Sequence, residues 1–112
     1  MKTKEEILQM FIHNGIDYPY LPVGQGWYEL IYDLVVELLS TNWDRKILQI
    51  KEKFGGLRFY IDGSEDIQNI VTKYEKLSYS ICEECGEPGE IRKLNWIKTL
   101  CDKHYNLINE TK

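Results

Sequence analysis

KEKFGGLRFY, residues 51–60, reads as a β-hairpin folded at its two glycines. A two-residue Gly-Gly loop suits a tight hairpin turn, because both central positions can take positive φ. With Gly55 and Gly56 at the turn, Phe54 faces Leu57, Lys53 faces Arg58, Glu52 faces Phe59 and Lys51 faces Tyr60. Opposed residues share a face of the ladder. One face then holds Phe54, Leu57, Phe59, Ile50 and Ile61, with Glu52 as its one acid. The other gathers Lys51, Lys53, Arg58 and Tyr60. Like charges directly opposite one another are destabilising, so the cationic face asks for an explanation.

The explanation is not bulk charge. The chain of 112 residues carries 14 Lys and Arg against 18 Asp and Glu, a formal net charge of −4. A general nucleic-acid binder of this size is usually basic, which leaves only a local basic patch. The length suggests a single domain over 1–112 with a modest core, residues 1–81 forming its helical and hairpin body and 82–112 a zinc-binding module. No apolar run approaches the roughly 20 residues of a membrane span. The opening MKTKEEILQM places acids where a signal peptide needs apolar residues, and a cytoplasmic protein is expected. Three cysteines, all after residue 80, argue against a disulfide framework.

Outward from the hairpin, apolar periodicity marks helices. Thr3 and Glu6 make a capping box ahead of Ile7, Leu8, Phe11 and Ile12, and Asn14-Gly15 is a stop signal, so a first helix is expected over about 4–14. His13, near its end, sits where a cation suits the helix dipole. Residues 16–26 hold Pro19, Pro22, Gly24 and Gly26 and read as a loop, with Tyr18 and Tyr20 available to cover a core edge or line a pocket. From Trp27 to about Leu39, Leu30, Ile31, Leu34, Val35, Leu38 and Leu39 form a wide stripe, expected of a central helix. The hairpin follows over roughly 46–53 and 57–62. Ser64 or Gly63 can then cap a third helix, with Ile67, Ile70, Val71, Tyr74, Leu77 and Ile81 in period. The fold class is therefore α+β, with two or three helices on the apolar face of the hairpin.

Cys82-Glu-Glu-Cys85-Gly86 and Cys101-Asp-Lys-His104 have the spacing of a zinc site, two ligand pairs separated by fifteen residues. A two-residue spacer lets two side chains of one turn reach the same ion, and Gly86 eases the bend that aims backbone N–H groups at sulfur. The gap is long enough for a short hairpin with arms at 90–94 and 96–100. Four protein ligands close a tetrahedron, which predicts structural rather than catalytic zinc. A cysteine knuckle, a hairpin, then ligands on a helix over 101–109 resemble a treble-clef zinc finger, a module that serves in nucleic-acid binding, protein adaptors and some nucleases. An HNH-type nuclease would need further histidines, and His104 is spent on zinc. No nucleophile with a neighbouring base is evident, so no catalytic residue is assigned and a non-enzyme is expected.

GWYELI at 26–31, KEKFGGLRFY at 51–60, CEECGEPG at 82–89 and TLCDKH at 99–104 together resemble a family of small phage and bacterial proteins. The resemblance implies a compact zinc-stabilised protein, phage-encoded, of accessory or counter-defence type. It brings no activity with it.

Three readings of Lys51, Lys53, Arg58 and Tyr60 stay open. They form a solvated face, or pair with Glu83, Glu84, Glu87 and Glu90. They bind a small anionic, nucleotide-like ligand, with Tyr18, Tyr20 and Trp27 stacking on a base. Or they meet an acidic host protein or a nucleic-acid backbone. The aromatic load suits a homodimer as well as a filled core.

Overall fold

The computed structural model describes residues 1–110. Helix α1 (Lys4–His13) opens with the full capping box: the Thr3 hydroxyl accepts the Glu6 N–H and the Glu6 carboxylate accepts the Thr3 N–H. It closes at Asn14, and Gly15 takes φ +70°. A 3₁₀ turn (Gln25–Trp27) leads into α2 (Tyr28–Leu39). Strands β1 (Gln49–Lys53) and β2 (Gly56–Tyr60) form an antiparallel hairpin. Helix α3 (Glu65–Ser78), capped by Ser64, is followed by a second hairpin, β3 (Glu90–Lys93) with β4 (Ile97–Leu100), and by α4 (Asp102–Glu110). The α+β class is as expected, and the second of its two small sheets is the hairpin expected between the two ligand pairs. No helix among the described residues is long and apolar enough to cross a membrane.

The main core is built on α2. Leu30, Ile31, Leu34, Val35 and Leu38 are buried, joined by Ile7 and Phe11 of α1, Ile67 and Val71 of α3, and Ile50, Leu57 and Phe59 of the hairpin. Each such side chain contributes about 1.5–3 kcal/mol on leaving water, which is why the widest apolar stripe in the sequence lies at the centre. A second, smaller cluster of Cys82, Leu100 and Cys101 forms at the C-terminal end.

The hairpin turn differs from the Gly-Gly expectation. Lys53 pairs with Gly56, Lys51 with Arg58 and Ile50 with Phe59, so the turn is Phe54-Gly55, with φ +53° and +83°. These are type I′ angles, which asparagine and glycine adopt far more readily than phenylalanine. Gly56 is needed in the strand instead, because a Cβ there would overlap the Tyr79 ring. The pairing is displaced by two residues from the expected one. A shift of two preserves the faces, so Ile50, Leu57 and Phe59 are buried as expected, but Phe54 leaves the apolar face and stands exposed at the turn.

Helix α3 seals the outer edge of β2 with side chains. Ser78 Oγ accepts the Leu57 N–H (2.9 Å), the Glu75 carboxylate accepts the Phe59 N–H (2.8 Å), and the Gln68 amide donates to the Ile61 carbonyl (2.8 Å). Unpaired edge groups invite foreign strands; here they are consumed internally. Ser78 is wholly buried. Ser78→Ala is therefore expected to cost about 1–3 kcal/mol, by stranding a buried N–H. Ser80→Ala, which removes an exposed hydroxyl, is expected within about 0.5 kcal/mol of wild type. Urea titrations of the two variants check this, and equal losses would count against the edge-sealing role. Helix α3 stops at Ser78, short of the expected Ile81. Ile81 instead bridges to Pro88 as the chain turns toward the cysteines.

Candidate functional site

Cys82 and Cys85 lie on a tight knuckle, Cys101 follows β4, and His104 is in the first turn of α4. The knuckle closes through Gly86 N–H to the Cys82 carbonyl (2.9 Å) and Cys82 N–H to the Glu87 carbonyl (2.8 Å), with Gly86 at φ +83°. One ligand atom from each of the four residues lies within 4.8 Å of the others. Cys85 and Cys101 sulfurs are 3.8 Å apart, and His104 Nδ1 is 3.7 Å from Cys82 Sγ and 3.2 Å from Cys101 Sγ. A tetrahedron with bonds of about 2.3 Å to sulfur and about 2.0 Å to nitrogen has edges of about 3.8 and 3.5 Å. The donor set and its spacing thus fit a metal ion. The electrostatics agree. The His104 backbone N–H, directed at Cys101 Sγ, holds that thiol below its ordinary range, while burial pushes the Cys85 thiol up. Three clustered sulfurs do not all ionise easily without a cation between them.

The knuckle is seated on the helical body by Gly24-Gln25-Gly26, a stretch whose role sequence reasoning missed. Gly26 N–H donates to the Glu83 carbonyl (2.8 Å), and Gly24 N–H donates to the Glu83 carboxylate (2.9 Å). Trp27 Nε1–H donates to the Ile81 carbonyl (2.9 Å). Trp27 is fully buried, so it is a structural anchor and not a ring free to stack on a base. Glu83, only 5% exposed, bonds through its own N–H to the Thr99 carbonyl and has Lys98 Nζ 3.7 Å from Oε1. Burial pushes its pKa up, and the Gly24 N–H offsets part of that. Thr99 Oγ1 in turn donates to the Gly55 carbonyl (2.6 Å), tying β4 to the first hairpin turn. The signal in the sequence was a Gly-x-Gly just before a buried aromatic, which reads equally well as an ordinary loop.

The predicted ligand residues fall together on the outer face of the first hairpin. Lys51 and Arg58 are direct cross-strand partners, Lys53 lies toward the turn and Tyr60 at the far end. Of the readings left open, pairing with knuckle acids does not occur among the described residues: Glu83 and Glu84 lie near Lys98, and Glu90 pairs with Arg92. Among the described residues no carboxylate oxygen lies within 4.0 Å of Lys51, Lys53 or Arg58. The Arg58 guanidinium is oriented by the Tyr79 hydroxyl (2.9 Å) and the Leu57 carbonyl (3.1 Å). Glu52 does not pair with a lysine; its carboxylate accepts the Gly55 N–H (2.7 Å) and braces the turn. Tyr18 offers its hydroxyl to the Ile50 N–H (3.0 Å) and its ring edge-on to the exposed Tyr20. His13, on the last turn of α1, lines an open groove with Lys2, Glu6 and Tyr32.

No family model, curated protein or solved structure matches the chain.

Proposed function

We propose that this is a non-enzymatic binding protein, stabilised by one structural zinc ion, that engages an anionic partner through the outer face of the β1–β2 hairpin. One observation carries the reading. In a chain with more acids than bases, Lys51 and Arg58 stand opposite each other with no carboxylate in ion-pair contact among the described residues; Glu75, the acid whose charge acts on Arg58, is bonded to the Phe59 N–H instead. Adjacent cations left unpaired lose stability, a loss that an incoming phosphate or carboxylate reverses. A guanidinium already oriented by two hydrogen bonds meets such an anion with little further ordering. Zinc is assigned because three thiolates and an imidazole are its preferred donors, and four protein ligands close the sphere. A non-enzymatic role is supported by how the chemistry-bearing groups are spent: His104 belongs to the metal cluster and Glu52 to the turn. In the setting that the phage resemblance implies, the partner is a host protein or a sequestered nucleotide-like molecule, and the protein an accessory or counter-defence factor.

The knuckle–hairpin–helix order around the ligands favours a second reading, a treble-clef nucleic-acid or adaptor module acting through its C-terminal end. A panel of anionic probes (pyrophosphate, adenosine triphosphate, polyglutamate and oligonucleotides) separates the two. The hairpin reading expects at least one to bind and Arg58→Glu to abolish that binding, while circular dichroism and the melting temperature stay near wild type. Lys51→Glu, which breaks no hydrogen bond described here, is the companion variant. Binding that survives both changes would refute the hairpin reading.

A further inference from the structure

We infer that the hairpin face is a short binding platform for single-stranded nucleic acid, an inference that rests on the anionic-partner reading and names its ligand class. The first ground is the alternation of rings and cations. Lys51 Nζ lies 5.5 Å from the Tyr60 ring centroid, Lys53 Nζ lies 5.5 Å from that of Phe54, and Arg58 Cζ lies 5.9 Å from that of Tyr79. Phe54 at the turn and Tyr60 at the far end of β2 stand on either side of the Lys51–Arg58 pair. A single strand presents the matching alternation, planar bases and phosphates. Proteins that bind it combine stacking rings with a positively charged groove that tracks the backbone, and such a groove can be local.

The second ground is Phe54 itself. The residue is 65% exposed, and its backbone is in the left-handed region at φ +53°. Asparagine would hold the same turn with less strain and no exposed ring. Nothing in the packing of the hairpin uses the phenyl group, since the core face is filled by Ile50, Leu57 and Phe59. A strained backbone that displays an apolar ring points to recognition rather than stability. The same ring next to cations also fits an apolar pocket with an acidic rim on another protein. A repeated ring–cation order along one face favours the nucleic acid, whose bases and phosphates repeat in the same order at every nucleotide.

The platform offers three cations against a net charge of −4. Binding therefore draws on stacking, and its salt dependence is shallow: each cation contributes a slope of about −0.7 in log K against log salt, so about −2 for three.

The test is fluorescence anisotropy with labelled oligothymidylate, oligouridylate and a duplex of about 12 nucleotides, on the metal-loaded 112-residue chain. Both single strands are expected to bind more tightly than the duplex, whose bases are hidden from the rings. Tighter oligouridylate binding would assign RNA, and equal binding or a thymidylate preference would assign DNA or both. Phe54→Asn is expected to keep or raise the melting temperature while weakening binding about tenfold. Tyr60→Ala is expected to weaken it comparably, and Lys51→Gln to flatten the salt slope by about 0.7. A duplex preference, or single-strand binding that Phe54→Asn and Tyr60→Ala leave unchanged, would overturn the inference. Binding of polyglutamate that Arg58→Glu abolishes, with no single-strand binding at low salt, would overturn the nucleic-acid assignment and leave the anionic-partner reading standing. No binding of any anion would end both.

Discussion

Cys82→Ser is expected to strip the metal and unfold the chain from about residue 82 onward, leaving the helical body largely intact. The reason lies in the two cores. Among the described residues, eighteen buried hydrophobic residues form the main cluster, but only Cys82, Leu100 and Cys101 are buried in the second, with Cys85, Leu94, Tyr105 and Ile108 partly buried against them. Two of those three belong to the Cys-His cluster that could hold a metal ion. Without the ion, burial of Leu100 and partial burial of Leu94, Tyr105 and Ile108 supply on the order of 5 kcal/mol, against about 1–2 kcal/mol of backbone entropy for every residue ordered. Zinc in small modules contributes on the order of 10 kcal/mol of apparent binding free energy, which becomes folding free energy. Serine at position 82 removes one thiolate and leaves three donors. Metal analysis should fall from one ion per chain toward none, and hydrogen exchange should lose protection in β3, β4 and α4 while α2 stays protected. Chelation of the wild type should give the same pattern. Acid should act in the same direction: thiolates and imidazole must shed protons to bind metal, so lowering the pH favours the metal-free form. A fully folded, metal-free Cys82→Ser protein would remove the metal centre from the account.

What could be read from the sequence was what local chemistry controls. Thr3 with Glu6, and Ser64 ahead of two acids, fixed helix starts because a cap uses residues within one turn. The four ligands were legible because metal chemistry restricts both residue type and spacing. The faces of the first hairpin were legible from period-two alternation, although its register was not. Local propensity puts both glycines in the turn. The folded protein overrides it, because Gly56 must lie under Tyr79, a residue more than twenty positions away, and Phe54 is left to take the strained position. The misassigned partners have the same origin. Glu83 looked like one surface acid among four, yet it is buried and bonded to Gly24. Trp27 looked available for stacking, yet it anchors to Ile81. Each of these contacts spans more than fifty residues, and no periodicity or spacing rule reaches that far.

Gly26→Ala is the second change expected to have a large effect, and it tests whether the metal module and the helical body act as one structure. A Cβ at Gly26 would overlap the Cys82 carbonyl oxygen and the Gly86 amide nitrogen. Both are backbone atoms of the knuckle, and one belongs to Cys82 of the Cys-His cluster, so neither yields as a flexible side chain would. Gly26 N–H also donates to the Glu83 carbonyl, and the adjacent Trp27 to that of Ile81, so displacing the knuckle breaks the seam on both sides. Forcing an atom into such a contact costs about 3 kcal/mol, or roughly a 15 °C fall in melting temperature for a domain of this size. Gly15→Ala is the control. Gly15 has φ +70° but no atom within 4 Å of an added Cβ, so only backbone strain of about 1 kcal/mol is expected. If the knuckle rests on the loop as described, Gly26→Ala should also release its metal to a chelator faster than wild type, whereas Gly15→Ala should not. Metal release at the wild-type rate with a lowered melting temperature would mean that the ligand cluster holds itself without the seam. A wild-type melting temperature for Gly26→Ala would mean that the seam is not formed as the packing of Gly26 on Cys82 requires.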